Sequence, residues 1–189
     1  PLILLTLVQP DLGTAIVLSL IFLSIMLMGG LRLHSFLYLA ATGVALMPIA
    51  WHFLKPYQQK RILIFLNPDL DPLGAGYHVI QSKIAVGSGR LLGKGYLHGT
   101  QNQLDFLPAQ HTDFIFSVFA EEWGLLSCLF LLGLYFTLIV LSLRVVARAK
   151  DRFGSLLVFG VLAIFFWQVT INVAMVTGLM PVVGIPLPL

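Results

Sequence analysis

The sequence predicts an all-α protein, a polytopic bundle of helices that cross a membrane. Hydrophobic residues make up 58% of the chain and charged residues 10%, whereas soluble domains carry about 25% charged residues. The mean hydropathy is +0.95, and the apolar segments approach or exceed the roughly 20 residues that one helix needs to cross a bilayer. The net charge of +3 is too small, and too diluted by apolar segments, to indicate nucleic-acid binding. We therefore expect a single membrane domain over residues 1–189.

Four spans are predicted, and proline marks two of them. Pro10 and Asp11 suit a helix start before the first span, and Pro48 allows a kink in the second. The chain starts at Pro1 without a methionine and ends on the Pro-rich stretch PVVGIPLPL, so we expect a segment of a longer protein. The predicted spans are residues 12–28, 35–54, 112–146 and 153–179.

The distribution of basic residues predicts how the chain is oriented. Residues 147–152 form a short loop with three basic residues against one acid, and short basic loops lie on the cytoplasmic side. The long loop of residues 55–111, one crossing earlier, is then extracytoplasmic. Basic residues at the start of that loop conflict with this orientation, which suggests that they bind an anion.

The loop of residues 55–111 is too long for a simple connection in a compact bundle, which makes it a candidate site. Tyr77, Ile80 and Ile84 recur at helical spacing, with Ser82 on another side. This pattern predicts a short amphipathic helix that lies in the membrane interface. The stretch GSGRLLGKG could present backbone N–H groups to a phosphate, although it lacks the P-loop pattern.

Basic side chains are concentrated in the same loop, and two interpretations are open. They are scattered charges on a solvated loop, or they clamp a lipid pyrophosphate, because Arg and Lys match phosphate oxygens. The residues concerned are Lys55, Lys60, Arg61, Lys83, Arg90 and Lys94.

Three carboxylates lie close together in AQHTDFIFSVFAEEWG, residues 109–124. Asp113 is either a cap in the first turn of a helix that Thr112 opens, or a general base for an attacking hydroxyl. A glycosidase pair needs its carboxyl groups about 5–9.5 Å apart, but eight residues of continuous helix rise about 12 Å. At most one glutamate can approach the face of Asp113. A hydrolase pair is therefore disfavoured unless the helix breaks.

The remaining candidates are the two glutamates, Asp11 and His111. We assign Glu121 to a cavity or to polar groups of neighbouring helices, and Glu122 to the interfacial end of the third span, beside Trp123. Asp11 is either a helix cap or an ionisable group that faces a cavity and a partner outside this chain. His111, two residues before Asp113, is the histidine that we single out.

Four long motifs resemble the SEDS family of cell shape, division and sporulation proteins, which includes RodA, FtsW and SpoVE. The resemblance is strongest to the RodA branch, and it extends over essentially the whole chain. It implies a larger helical membrane protein, of which this chain is the central to C-terminal portion. The motifs are QPDLGTA, DPLGAGYHVIQSKIAVGSG, GKGYLHGTQNQLDFLPAQHTDFIFSVFAEEWG and PVVGIPLPL.

The resemblance implies a peptidoglycan glycosyltransferase that polymerises lipid II during elongation and cell-shape maintenance, together with a class B penicillin-binding protein. The family's catalytic aspartate falls on Asp113, and its QPDLG aspartate falls on Asp11. The donor is a glycan linked to undecaprenyl pyrophosphate, and the reaction inverts the donor linkage. One base is then needed and no glycosidase pair. The implied location is the inner membrane, with the site on the extracytoplasmic face.

No cofactor is certain, and the ligands of a metal are unknown; a divalent cation, Mg²⁺ or Mn²⁺, is compatible with the chemistry. A lipid II flippase and a non-catalytic scaffold for the penicillin-binding protein are the alternative functions. The nearly charge-free centres of the spans disfavour the flippase. Besides Asp113 as the catalytic residue, the residues expected to bind substrate are Asp11, Arg61, Lys83, Lys94, Gln101, His111, Thr112 and Glu121.

Overall fold

The computed structural model describes residues 6, 9, 11–67, 70–71, 74–99 and 113–188. All regular secondary structure within these residues is helical, which confirms the all-α fold class. Of the helices, α5 and α6 are long and apolar enough to cross a membrane. The helices are α1 (Leu12–Met28), α2 (Leu33–Phe53), α3 (Pro56–Leu66), α4 (Ala75–Ser88), α5 (Ile115–Arg148) and α6 (Arg152–Val176).

Local sequence explains where the first helices begin and end. The Asp11 carboxylate caps α1, because it accepts hydrogen bonds from the Thr14 N–H at 3.1 Å and the Thr14 hydroxyl at 2.6 Å. Gly29 and Gly30 end this helix, and Gly30 has a φ of 100° that favours glycine. Pro56 occupies the first position of α3, where its missing N–H leaves no helical hydrogen bond unmade. α3 is a helix that the sequence did not lead us to predict.

The chain forms two compact units. The first comprises Pro1–Lys60 and Leu141–Trp167, and the second comprises Arg61–Val140 and Gln168–Leu189. The candidate residues after position 60 that the structure describes all belong to the second unit, whereas Asp11 belongs to the first.

Helices α1 and α6 pack together in the first unit. The Trp167 indole N–H donates to the Ser24 hydroxyl at 2.9 Å, and the Arg152 guanidinium donates to the Gly29 carbonyl at 3.0 Å. A β-carbon at Gly160 would lie 3.3 Å from the Ile25 side chain, so the glycine brings the two helices close. Small residues and interhelical hydrogen bonds are the usual means of association between apolar helices.

Helix α4 belongs to the second unit and is buried along one side. Val79, Ser82 and Ala85 are 5%, 0% and 0% exposed, and they form one stripe along the helix. At the end of α4, a β-carbon on Gly89 would lie 2.9 Å from the Ala120 carbonyl carbon, which shows how closely the chain approaches α5. The prediction of a short helix in the loop of residues 55–111 is therefore confirmed at Ala75–Ser88.

The face that α4 buries in the protein is not the apolar face predicted to lie in the membrane interface. Sequence spacing placed Ile84 with Tyr77 and Ile80 on that apolar face and Ser82 on another side; Ile84 is 45% exposed and Ser82 is fully buried. The Ser82 hydroxyl donates to the Val176 carbonyl at 2.8 Å and lies 2.8 Å from the Ser117 hydroxyl. Since Ser82 has one hydroxyl proton, Ser117 is the donor to Ser82. These bonds join α4, α5 and the end of α6.

Candidate functional site

Helix α5 is interrupted at Gly124, where φ is 74° and ψ is −176°. This backbone conformation is essentially restricted to glycine. A β-carbon at this position would also overlap the neighbouring chain, because it would lie 2.6 Å from the Leu92 carbonyl carbon and 2.7 Å from the Leu91 oxygen. Glycine is thus required here by conformation and by close approach. Residues 125–148 alone still exceed the roughly 20 residues of a membrane span.

The loop of residues 90–95 supplies acceptors to the broken helix. The Leu125 N–H donates to the Arg90 carbonyl at 2.9 Å, and the Leu126 N–H donates to the Leu91 carbonyl at 3.2 Å. In a continuous helix these two N–H groups would donate to carbonyls four residues earlier. The loop therefore satisfies donors that the break at Gly124 would otherwise leave without a partner.

The same loop supplies donors to the carbonyls on the other side of the break. The Glu121 carbonyl accepts from the Lys94 N–H at 3.0 Å, and the Glu122 carbonyl accepts from the Gly95 N–H at 3.0 Å. These are the carbonyls that Leu125 and Leu126 would use in a continuous helix. The 90–95 loop thus replaces both missing helical hydrogen bonds, donor and acceptor alike.

Several backbone N–H groups of GSGRLLGKG, the stretch predicted to bind a phosphate, are bonded to protein carbonyls. Lys94 and Gly95 donate their N–H groups to α5, the Gly93 N–H donates to the Gly89 carbonyl at 2.8 Å, and the Arg90 N–H donates to the Gly87 carbonyl at 3.4 Å. Backbone donors that are bonded to protein carbonyls are not available to an anion. These four N–H groups are therefore not available to a phosphate, and phosphate binding by the rest of the stretch stays a prediction.

Glu121 and Lys94, both predicted to bind substrate, form an ion pair with each other. The Lys94 Nζ lies 2.6 Å from Glu121 Oε1, with side chains 30% and 0% exposed. The Ser88 hydroxyl lies 3.4 Å from the same oxygen. A carboxylate taken fully out of water needs such a partner. The pair also fixes the 90–95 loop beside the break, because Lys94 belongs to that loop.

We expect Lys94→Met to destabilise the protein by about 3 kcal/mol, the low end for a buried ion pair because Lys94 is 30% exposed, since Glu121 would stay buried without its ammonium partner. The double variant Lys94→Met/Glu121→Gln should recover part of this loss. Unfolding of the purified full-length protein, measured for both single variants and the double variant, gives the coupling free energy. Strictly additive losses would contradict the structural role of the pair.

Glu122 is also buried, at 6% exposure, although sequence analysis placed it at an interfacial helix end. Its neighbour Trp123 is 48% exposed and stacks on Phe119, with ring centroids 6.3 Å apart. Glu121 and Glu122 are therefore both buried in the protein, and the exposed side chain beside them is that of Trp123.

Asp113 lies two residues before α5, which begins at Ile115, and not in its first turn as predicted. The side chain is half-buried. Among the residues that the structure describes, none donates a hydrogen bond to its carboxylate, so the capping interpretation is not supported. A β-carbon on Gly184 would lie 3.4 Å from Asp113 Oδ2, which places the PVVGIPLPL stretch beside the carboxylate.

The main chain of Asp113 is held by Asn172 of α6. One N–H of the Asn172 amide donates to the Asp113 carbonyl at 2.9 Å, and the other donates to the Ile185 carbonyl at 2.8 Å. Asn172 is fully buried. Asn172 was not among the predicted residues, although an amide within the apolar run FFWQVTINVAMV is the kind of polar group that marks a specific position in a membrane helix.

The other predicted residues are distributed more widely. Arg61 is exposed and lines a small cleft with Pro181 and Val182 of the PVVGIPLPL stretch. Lys83 is exposed, and its aliphatic chain lies against Gly178. Asp11 caps α1, as described above. The remaining three predicted residues, Gln101, His111 and Thr112, lie outside the described residues, and within those residues no group of three His, Cys, Asp or Glu side chains could hold a metal ion.

Comparisons with known proteins identify the family. The family model described as "Cell cycle protein", for FtsW, RodA and SpoVE, matches residues 2–189. The peptidoglycan glycosyltransferase MrdB of Escherichia coli K12 is 52% identical over 182 residues, which cover 96% of this chain and 49% of that protein. Stage V sporulation protein E of Bacillus subtilis is 38% identical over 180 residues, which cover 95% of this chain and 49% of that protein.

This chain is also similar to a chain of a solved structure. A chain from a structure described as "Structural coordination of polymerization and crosslinking by a peptidoglycan synthase complex" matches with a TM-score of 0.79 and 33% identity, over 100% of this chain and 52% of that one. The present chain thus spans about half the length of the relatives it matches. It is a membrane protein, and it belongs to the FtsW/RodA/SpoVE family.

Proposed function

We propose that the protein containing this chain is a peptidoglycan glycosyltransferase that polymerises lipid II into glycan strands during cell elongation and cell-shape maintenance. The observation that carries the proposal is the setting of Asp113. Its main chain is held by the buried Asn172, while its carboxylate is half-buried and accepts no hydrogen bond from the described residues. The name of the E. coli relative, peptidoglycan glycosyltransferase, supports the same activity.

Asp113 acts in this proposal as the single general base. The 4-hydroxyl of the acceptor N-acetylglucosamine attacks the anomeric carbon of the donor glycan, and its proton passes to an Asp113 carboxylate oxygen. The new glycosidic bond forms as the bond to the undecaprenyl pyrophosphate breaks, and the configuration inverts. One positioned base contributes about 10²–10⁴-fold to such a step. A second carboxylic acid is not required, because pyrophosphate leaves readily when its charge is stabilised.

Cationic side chains would stabilise the departing pyrophosphate. Arg61 and Lys83 are exposed and belong to the same compact unit as Asp113. Lys94 is less suited to this task, because it is committed to the ion pair with Glu121. Mg²⁺ or Mn²⁺ would supply the same stabilisation as a Lewis acid. In this proposal, Asp113 is the carboxylate that lies beside the reacting groups.

The proposal includes a class B penicillin-binding protein as partner and an extracytoplasmic site in the inner membrane. The matched chain from a peptidoglycan synthase complex for polymerization and crosslinking supports the partner. The basic loop at residues 147–152 supports the orientation, because such loops stay on the cytoplasmic side.

The test uses the full-length protein in complex with its penicillin-binding protein, whose transpeptidase site is blocked with a β-lactam. Incubation with fluorescent lipid II is expected to yield a ladder of glycan polymers on a gel. A folded complex that makes no polymer would contradict the proposal. Translocation of lipid II across liposomes by the protein alone would then favour the flippase, and partner binding without either activity would favour the scaffold.

A further inference from the structure

We propose that Asn172 is a positioning residue for the reaction, one that holds the Asp113 main chain against the PVVGIPLPL stretch. This inference rests on the proposed role of Asp113 as the base. The amide of Asn172 donates one N–H to the Asp113 carbonyl at 2.9 Å and the other to the Ile185 carbonyl at 2.8 Å. A single side chain thus links the residue before α5, helix α6 and the stretch that follows α6.

The orientation of the Asn172 amide follows from its partners. Both contacts are carbonyl oxygens, which only accept hydrogen bonds, so the nitrogen of the amide must face them. The side chain is itself rigidly placed, because Asn172, Ile171, Met175 and Val176 are 0–1% exposed. Close packing of this kind holds a side chain in one rotamer. The positions of the Asp113 and Ile185 carbonyls are therefore set by a fixed group.

Stability alone is a weak reason for an asparagine at this position. The amide oxygen of Asn172 is buried without a hydrogen-bond partner among the described residues, and such an orphaned acceptor destabilises the folded protein. That cost offsets part of what the two N–H bonds contribute. A buried amide with this defect fits a residue retained for placing its neighbours, since departures from full polar satisfaction concentrate at functional sites.

The position of the PVVGIPLPL stretch beside Asp113 depends on the same amide. Gly184 precedes Ile185, has a φ of 73°, and would place a β-carbon 3.4 Å from Asp113 Oδ2. By holding Ile185, Asn172 sets where Gly184 passes the carboxylate. Asn172 binds the main chain of both Asp113 and Ile185, and it thus sets the distance between the Asp113 carboxylate and this stretch. A displacement of about 1 Å in such a geometry can lower a rate about 10²-fold.

The experiment compares Asn172→Leu and Asn172→Gln with a matched control in the full-length complex. Leucine keeps the shape and removes both donors, and glutamine keeps the amide but displaces it by one methylene. The control is Ser82→Ala, which removes an equally buried side-chain donor to a carbonyl near the end of α6 without touching Asp113. The kcat and KM for lipid II and the melting temperature are measured for each.

We expect Asn172→Leu to lower kcat about 10²-fold, with KM close to the wild-type value, and Asn172→Gln to give an intermediate kcat. Ser82→Ala should lower the melting temperature but keep kcat near that of the wild type. Wild-type kcat in either Asn172 variant, or a kcat that merely follows the melting temperature across all three variants, would overturn the positioning role. An inactive wild-type complex would instead overturn the proposed function itself.

Discussion

Gly124→Ala is expected to destabilise the protein by about 3 kcal/mol, one of the largest effects that a single added methyl group can have. The new β-carbon would meet Leu91, Leu92 and Gly93, and the alanine would disfavour the φ of 74° that interrupts α5. A continuous helix is the alternative for this segment. It would expel the 90–95 loop, which depends on the break for its hydrogen bonds.

Gly133→Ala provides the matched control, because Gly133 lies in the same helix and nothing among the described residues comes within 4 Å of its β-carbon position. That change should be neutral or stabilising by up to about 1 kcal/mol, since alanine is the better helix former. Thermal unfolding and limited proteolysis of the purified protein give the two readouts. Equal behaviour of the two variants would contradict the requirement for glycine at the break.

The helical architecture was predictable from the sequence because it depends on local pattern. Long apolar runs specify spans, and Asp11 and Thr14 specify a helix cap through contacts three residues apart. The short helix α4 was also predictable from the spacing of its apolar residues. Each of these features is decided by residues that are near neighbours in the chain.

The break at Gly124 was not predictable, because one glycine in an apolar run is compatible with an intact helix. Its cause is the 90–95 loop, which approaches from about 30 residues away. The pairing of Lys94 with Glu121 and the burial of Ser82 have the same origin, contacts between residues distant in sequence. Which face of α4 is buried in the protein was not predictable, because it depends on the contacts of Ser82 with α5 and with the end of α6.

The candidate site was predictable in part. Asp113 was singled out from its motif, and its geometry supports a role as base, but the contribution of Asn172 depends on where the PVVGIPLPL stretch folds back. The roles of Arg61 and Lys83 in binding substrate stay predictions. Those of Gln101, His111 and Thr112 do as well, because these residues lie outside the described part of the chain.

Asp113→Asn is expected to abolish most glycan polymerisation while leaving the fold intact. Asparagine has the shape of aspartate but cannot take the proton from the attacking hydroxyl, and loss of a general base lowers a rate about 10²–10⁴-fold. The contact with Asn172 uses the Asp113 carbonyl, which the substitution retains. The variant should therefore match the wild type in melting temperature and partner binding.

Asp151→Asn is the control for removal of a carboxylate elsewhere. Asp151 accepts a hydrogen bond from the Gly154 N–H at 2.7 Å near the start of α6, and it belongs to the other compact unit. Its amide variant should polymerise lipid II at close to the wild-type rate. A similar loss in both variants would point to a general effect of charge rather than to base catalysis by Asp113.

The initial rate of lipid II polymerisation by the folded, full-length Asp113→Asn complex tests the central claim most directly. We predict a rate about 10²–10⁴-fold below that of the wild type, with the Asp151→Asn complex unaffected. A rate for Asp113→Asn close to that of the wild type would contradict the assignment of Asp113 as the base.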